Sequence, residues 1–334
     1  MADITQKFKT QFVEARFTSL TVSIGVLVMR WLLFHFQGVP EYNSPDTGFV
    51  WQYFAPYFAN PNISFAVSTI FVFLIAMLIA HLNNRFSLIR TRTNLPFIVP
   101  LFLFSLHPYF LIMSADYVAI VLLLIALSSL FSSYQQPDTQ LFSFRSAILI
   151  GVAGLFQIYA LILLPVWWRG EVSMRSVQAK SFFTSIFGVL LVYLSAFSVY
   201  FLYGNVEKFV APFLNFSRIS VHEIPHFTIA KWIGVAFVFV FFALYMLLSL
   251  NISMRVKVLT LSATKFVIWM IALFLILQAI YWNETMFFVS MSIAFASYLV
   301  AFYHSIAISK AHVYCAYIVM MLLIIFYLLN CFFF

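Results

Sequence analysis

The chain has 334 residues, of which 64% are hydrophobic and 8% are charged. So few polar residues cannot cover the surface of a water-soluble protein of this size, so the composition excludes that class. It predicts one integral membrane domain over residues 1–334. The formal net charge of +8 does not indicate a nucleic-acid partner, because Lys and Arg accumulate in the cytoplasmic loops of membrane proteins.

Apolar runs long enough to cross a bilayer predict an all-α polytopic bundle of transmembrane helices. Nine full spans are expected, near residues 17–36, 64–82, 95–113, 117–133, 183–203, 229–250, 264–281, 285–303 and 313–331.

The basic residues predict how these spans are oriented. The N-terminal segment 1–16 and the connection 83–94 both carry several Lys or Arg residues, which places them in the cytoplasm. The loop 37–62 between them then faces outward. It contains Glu41 and Asp46 but no Lys or Arg, which agrees with this orientation.

The segment 147–168, AILIGVAGLFQIYALILLPVWW, does not fit a single crossing. One crossing would move the basic cluster at 169–180 to the outer side. A re-entrant hairpin with its tip near Gln157 keeps that cluster in the cytoplasm, so we expect a hairpin and count Gln157 among the candidate substrate-binding residues. A single span, with an error elsewhere, is the alternative. This is the one broken segment expected, which weighs against a transporter built from two similar halves.

Outward-facing acids are the first candidates for a site. Asp116 belongs to a short turn at the outer interface. It is suited either to capping the next helix or to a functional role, because a carboxylate between two spans is costly. The first outward loop can fold back over the mouth of a cavity and hold its carboxylates there. Glu284, in the last outward turn, is a candidate for the rim of that cavity. His107 is a lesser candidate, because a lone His in an apolar run is commonly a packing residue.

The second outward loop, 204–228, and the helix after it carry basic residues. Lys208, Arg218 and Lys231 are suited to binding a phosphate group through charge-assisted hydrogen bonds. Contact with lipid headgroups is the simpler alternative.

The same loop contains HEIPH, residues 222–226, which has the pattern of a zinc-protease motif. A zinc site of that kind needs both His residues on one helical turn, and Pro225 disfavours a helix there. A catalytic zinc site is therefore not expected. A plain interfacial loop, a contact with lipid headgroups or a loose metal contact are the alternatives, and His222 is kept as a candidate contact residue.

The order of these features resembles a known superfamily. An acidic outward loop follows the first span, a short acidic turn opens ADYVAIVLLLIALSSL, and GVAGLFQIYALILLPVWWRGEV forms the dip. This arrangement resembles the C-type (GT-C) superfamily of membrane glycosyltransferases over roughly residues 15–205. The dip is also similar to a family of multispan inner-membrane proteins of Bacteroidetes. The resemblance implies a bacterial inner-membrane protein with a cytoplasmic N-terminus.

The resemblance also implies a reaction. Members of the superfamily transfer a sugar from a polyprenyl-phosphate donor to an acceptor at the outer face. The catalytic acid of the first loop corresponds to Glu41 or Asp46, and the second outward acid corresponds to Asp116. Many members have a Lys in the dip where this chain has Gln157, and many have adjacent acids in the first loop. These two departures leave open a non-catalytic relative or a helper subunit.

The implied mechanism needs no cofactor, because the lipid donor arrives through the bilayer. An acid of the first loop acts as general base, and Lys208, Arg218 or Lys231 holds the leaving lipid phosphate. The partners expected are the polyprenyl-phosphate donor, membrane lipids and an acceptor of unspecified kind. A scaffold subunit of a cell-envelope assembly and a flippase or transporter for a lipid-linked solute are the alternatives.

Overall fold

The structure is a computed structural model that describes residues 4–14, 18–40, 48–174, 179–217, 229–253, 256–306 and 309–332. Fourteen α-helices lie within these ranges: α1 Ile4–Phe8, α2 Thr18–Gln37, α3 Trp51–Phe54, α4 Pro61–Phe86, α5 Leu95–Leu103, α6 Ala115–Ser132, α7 Gln140–Phe156, α8 Leu164–Ser173, α9 Ala179–Leu202, α10 Val206–Leu214, α11 Ile229–Ser253, α12 Val258–Ile280, α13 Thr285–Ile306 and α14 Lys310–Phe332.

Seven helices of the described part are long and apolar enough to cross a bilayer: α2, α4, α6, α9, α12, α13 and α14. The prediction of an all-α, multispan membrane protein is confirmed, and seven of the nine expected spans correspond to these helices. An eighth predicted span, 229–250, falls on α11. The apolar part of this helix whose side chains are described, Val235–Asn251, is shorter than each of the seven helices above.

The predicted span 95–113 is wrong as a continuous helix. Helix α5 ends at Leu103, and the chain continues to α6 through an irregular stretch with one 3-10 turn, Pro108–Leu111. The cause lies in Pro108, because a proline forces the preceding residue out of the α region. His107 is accordingly extended, with φ −137° and ψ 140°.

Helix α13 stands at the centre of the bundle. It packs against α4, α5, α6, α11 and α12. In its apolar stretch of 18 residues, 83% of the residues are buried. The corresponding values for α2, α9 and α14 are 17%, 22% and 28%. These three helices lie at the periphery, where their exposed apolar side chains are suited to contact with lipid.

The chain reverses direction at Gln157, which is where the sequence predicts the tip of a hairpin. Helix α7 packs antiparallel to α6, so the end of α7 lies beside the first turn of α6. A 3-10 segment, Ile158–Leu163, and then α8 return to the end of α6, where the Gln135 amide donates to the Met174 carbonyl oxygen at 3.3 Å. The hairpin is longer than predicted, with arms that cover 140–173.

The basic connections gather at one end of the bundle. Thr260, at the start of α12, donates its hydroxyl to the Leu88 carbonyl oxygen at 3.2 Å, and Arg90, Lys257 and Lys9 line one cavity there. We name this the basic end. The opposite end holds Gln157, so we name it the Gln157 end.

Candidate functional site

Three polar side chains meet at the Gln157 end, and we name Asp116, Gln157 and Glu284 the acid–amide cluster. The Gln157 Nε2 group donates to Asp116 Oδ1 at 3.0 Å and to Glu284 Oε2 at 3.4 Å. All three side chains are buried, with exposed fractions of 3%, 1% and 5%. The structure therefore brings together three of the predicted site residues, which lie 41 and 127 positions apart in the chain.

Each member of the cluster stands at the end of a helix. Asp116 lies in the first turn of α6, where the positive end of the helix dipole favours a carboxylate. Gln157 follows the last residue of α7 in an extended conformation, so its side chain leaves the helix and reaches both neighbours. Glu284 ends a 3-10 turn between α12 and α13.

Asp116 does not act only as a helix cap. Ser114 occupies the N-cap position of α6 with an extended backbone, and no side chain there makes a capping hydrogen bond to the helix. The Asp116 carboxylate instead accepts from Gln157. In addition to its position in the first turn of α6, Asp116 therefore makes a tertiary contact with a distant segment of the chain.

The two carboxyl groups are close enough to influence each other. Burial raises the pKa of Glu284 to about 8, the nearby Asp116 carboxylate adds to this increase, and the hydrogen bond from Gln157 opposes it. Two carboxylates in one buried site disfavour double ionisation. At neutral pH the Glu284 carboxyl therefore holds its proton, and it is suited to donating or exchanging a proton.

The surroundings of the cluster include unused hydrogen-bonding capacity. The Gln157 Oε1 atom is buried without a partner among the described residues. A cavity of about 20 Å³ lies beside Asp116, lined also by Ser114, Tyr117 and Ser290. Such a volume holds about one water molecule, so this cavity, as the described residues form it, is too small for a sugar.

The end of the loop that precedes α3 touches the hairpin next to the cluster. The Val50 amide donates to the Leu155 carbonyl oxygen at 3.1 Å. Gly48 lies so close to Phe156 that a Cβ atom at this position would overlap the Phe156 carbonyl oxygen. The close approach requires glycine, and it fixes the end of the first loop beside Gln157.

The other predicted site residues have separate outcomes. His107 is half-buried, its Nδ1 atom accepts from the Tyr109 amide at 3.3 Å, and its ring stacks on Tyr109. Lys208 is exposed on α10. The residues that lie outside the described part are Glu41, Asp46, Arg218 and His222, together with the side chain of Lys231.

Arg30 is a buried cation that was not among the predicted site residues. It lies within α2 and is fully buried. Its guanidinium donates to the carbonyl oxygens of Phe104 and Phe110, at 3.0 and 2.9 Å, and to the hydroxyls of Ser68 and Thr69, at 2.9 and 3.0 Å. A single Arg inside the apolar run 17–36 was the available signal, because such residues are rare in spans.

The Arg30 contacts explain how the irregular stretch after α5 is tolerated. Non-helical backbone within a membrane domain must have its carbonyl groups satisfied by protein. Arg30 satisfies two of them, and the Tyr117 hydroxyl donates to the second of these, Phe110, at 2.7 Å. Arg30 therefore stabilises the segment that precedes Asp116.

The described residues contain no group of three or more His, Cys, Asp or Glu side chains that is arranged to hold a metal ion. The HEIPH segment lies outside the described residues. Comparisons of the chain with protein-family models, with curated proteins and with solved structures found no match.

Proposed function

We propose that this protein transfers a sugar from a polyprenyl-phosphate donor to an acceptor at the outer face of the bacterial inner membrane. The observation that carries the proposal is the acid–amide cluster. Two carboxyl groups from distant parts of the chain share one amide at the end of the bundle opposite the basic connections. Buried ionisable groups in membrane proteins are costly and commonly mark a functional site.

The orientation supports the same assignment. Lys and Arg favour the cytoplasmic side, so in the proposal the Gln157 end is the outer end. The first loop is fixed to the hairpin through Gly48, and Asp46 precedes Gly48 by two positions in the sequence. In the proposal, Asp46 or Glu41 extends the cluster as the acid of the first loop.

The proposed step forms one bond and breaks one. The loop acid takes the proton of the acceptor hydroxyl, whose oxygen bonds to the anomeric carbon while the bond from that carbon to the phosphate oxygen breaks. Negative charge develops on the departing polyprenyl phosphate, and Lys208, Arg218 or Lys231 stabilises it. Asp116 orients the sugar or the base, and Glu284 helps to hold Asp116 in place through the Gln157 amide that both acids share.

The chain resembles the GT-C superfamily in the order of its acidic loop, acidic turn and dip, and this proposal rests partly on that resemblance. Gln157 stands where many members have a Lys. Here the Gln157 amide donates hydrogen bonds to both acids. A lysine ammonium group would donate such hydrogen bonds too, but the amide does so without a charge. The departure is therefore compatible with a working site.

The test uses membranes that contain the full chain. They are incubated with polyprenyl-phosphate donors carrying different radiolabelled sugars, and the label that leaves the lipid donor is measured. Asp116→Asn and Glu284→Gln should each lower the rate about 100-fold or more if the carboxyl groups act in proton transfer or orientation. Glu207→Gln, an exposed acid on α10 at the same end, should retain the native rate. Full activity in both cluster variants, or no transfer from any donor, would overturn the proposal.

A second candidate is a proton-coupled flippase or transporter for a lipid-linked solute. Two observations favour it: a second interrupted membrane segment, 104–114, adjoins the cluster, and Glu284 holds a proton near neutral pH. Interrupted helices and protonatable acids are common in transporters. Proteoliposomes with a pH gradient distinguish the two, because a transporter moves the intact lipid-linked sugar and an enzyme separates the sugar from the lipid.

A further inference from the structure

A cavity of about 240 Å³ opens at the basic end of the bundle, far from the acid–amide cluster. It is lined by residues of five regions: the N-terminal segment, the connection after α4, the connection before α12 with the start of that helix, the end of α13 and the start of α14. Its walls include Phe8, Lys9, Leu88, Arg90, Thr91 and Lys257.

Three cations from three separate segments line this cavity. Lys9 comes from the N-terminal segment, Arg90 from the connection after α4, and Lys257 from the connection before α12. No Asp or Glu of the described residues belongs to the lining. Lys9 pairs with Glu14 at 3.4 Å, and both side chains are nearly half-exposed, so an anion in the cavity competes with a weak surface pair.

One neutral polar group of the cavity, the Thr91 hydroxyl, is available to donate a hydrogen bond to a ligand. The Thr260 hydroxyl is occupied by the Leu88 carbonyl oxygen, and the His304 ring pairs with Tyr245. The Thr91 Oγ1 atom, by contrast, is buried without a partner in the described part of the chain. A buried hydroxyl without a partner is costly unless a water or ligand satisfies it.

The cavity combines these polar groups with apolar walls. Phe8, Leu88 and Val256 contribute aliphatic and aromatic surface beside the cations. An Arg fork, two Lys ammonium groups and a hydroxyl suit a phosphate, and the apolar wall suits carbon groups attached to it. We propose that this cavity binds a phosphate-bearing anion, either the headgroup of an anionic phospholipid or a free phosphate compound.

This site does not depend on the proposed transferase activity. Helix α13 has 22 residues, and its length of about 33 Å separates the two ends of the bundle. Glu284 lies just before its start, and His304 near its end. A variant of one site therefore leaves the other site intact.

The experiment places the full chain in nanodiscs of zwitterionic phosphatidylcholine. One arm titrates inorganic phosphate, and the other incorporates increasing fractions of phosphatidylglycerol. Binding is read as an increase in Tm and, for the lipid, as phosphatidylglycerol retained in native mass spectra. Saturable binding in the first arm identifies a free phosphate ligand, and binding in the second arm alone identifies a lipid headgroup. Either result supports the shared chemistry, and no saturable binding in either arm overturns the proposal.

Two sets of variants test whether the cavity itself is responsible. The double variant Arg90→Gln with Lys257→Gln should weaken binding by about tenfold or more, because each charged hydrogen-bond donor is worth about that factor. The matched control, Arg145→Gln with Lys180→Gln, removes two exposed cations from the same half of the bundle outside the lining and should change binding less than about twofold. Equal losses in the two pairs would assign the effect to surface charge and reject the site.

A third variant guards against a folding defect in the double variant. Thr91→Val keeps the shape of the side chain and removes only the hydroxyl. It should lower affinity several-fold while leaving the Tm without ligand unchanged or slightly higher, since no buried hydroxyl then lacks a partner at this position. Unchanged affinity in this variant would contradict the role of Thr91 as a ligand donor.

Discussion

A buried carboxyl group beside a second carboxyl group is stable when one of the two keeps its proton. In the acid–amide cluster that group is Glu284, since burial and the Asp116 charge raise its pKa to about 8. The single amide of Gln157 donates to both acids. The cluster therefore gains a negative charge at Glu284 as the pH rises through this pKa.

The first prediction concerns stability against pH. The ordinary pKa of a Glu carboxyl is 4.5, so between pH 4.5 and pH 8 the unfolded chain releases a proton that the folded chain keeps. The free energy of unfolding therefore falls as pH rises through this window. The Tm in detergent should be several degrees lower at pH 8.5 than at pH 5.

Glu284→Gln provides the comparison for this pH series. The variant cannot ionise at position 284, so its Tm should change much less between pH 5 and pH 8.5. Glu207→Gln, which removes an exposed acid, should follow the native curve. Parallel curves for Glu284→Gln and the native chain would contradict the raised pKa.

Single residues also show what the sequence can predict about the site. Asp116, Gln157 and Glu284 were all candidates, because a polar side chain at the edge of a span is conspicuous against an apolar chain. The sequence predicts that Asp116 and Glu284 border one cavity, but not that Gln157 joins them, because no spacing rule links residues 41 and 127 positions apart. Arg30 was visible as a cation inside a span, but its carbonyl partners exist only because a distant helix ends early.

At the scale of elements, Arg30 links α2 to the irregular stretch 104–114. Arg30→Met should lower the free energy of unfolding by about 3 kcal/mol or more, because it leaves buried carbonyl and hydroxyl groups without donors. Arg30→Lys should not restore stability, since one ammonium group cannot reach all four acceptors in the fork geometry of a guanidinium. Thermal unfolding of the purified variants measures both effects.

Arg85→Met is the matched control for Arg30. The Arg85 side chain is exposed and donates to the hydroxyls of Ser128 and Ser132. Its loss should change stability by about 0.5 kcal/mol or less. A comparable loss of stability in the two variants would show that Arg30 contributes no more than a surface cation.

The contact between the first loop and the hairpin gives a third prediction. Gly48→Ala should displace the loop from Phe156, because the new Cβ atom has no space, at a cost of about 1–3 kcal/mol. Gly25→Ala, where no neighbouring atom lies within 4 Å of the position that a Cβ atom would take, should be neutral or slightly stabilising in its helix. Tm values compare the two, and a tolerated Gly48→Ala would contradict the close approach.

Elements differ in how well the sequence predicts them. The seven long apolar helices followed from hydropathy alone, and the reversal at Gln157 followed from the balance of basic residues on either side. The break after Leu103 was not predicted because the run 95–113 remains apolar on average despite His107 and Pro108. The predicted hairpin begins too late because Arg145 interrupts the apolar run in the sequence, although it lies within α7 and is exposed there.

For the whole molecule, the orientation is the property on which the proposed function depends. In a background with Cys315→Ser and Cys331→Ser, Asn205→Cys should react with a membrane-impermeant maleimide in spheroplasts. Gln136→Cys should react only after the membrane is permeabilised. Both positions are exposed, one at each end of the bundle, so accessibility within the protein is matched. The reverse labelling pattern would move the acid–amide cluster to the cytoplasmic side.

The central place of α13 has a consequence for biogenesis. The helix that fills the middle of the bundle is the second from the end of the described chain, so the ribosome makes most of its neighbours first. Until about residue 306 has entered the membrane, α4, α5, α6, α11 and α12 lack the partner around which they pack. The faces of these helices that pack against α13 therefore stay uncovered until α13 inserts. We expect the nascent protein to be most susceptible to quality-control proteases during that interval.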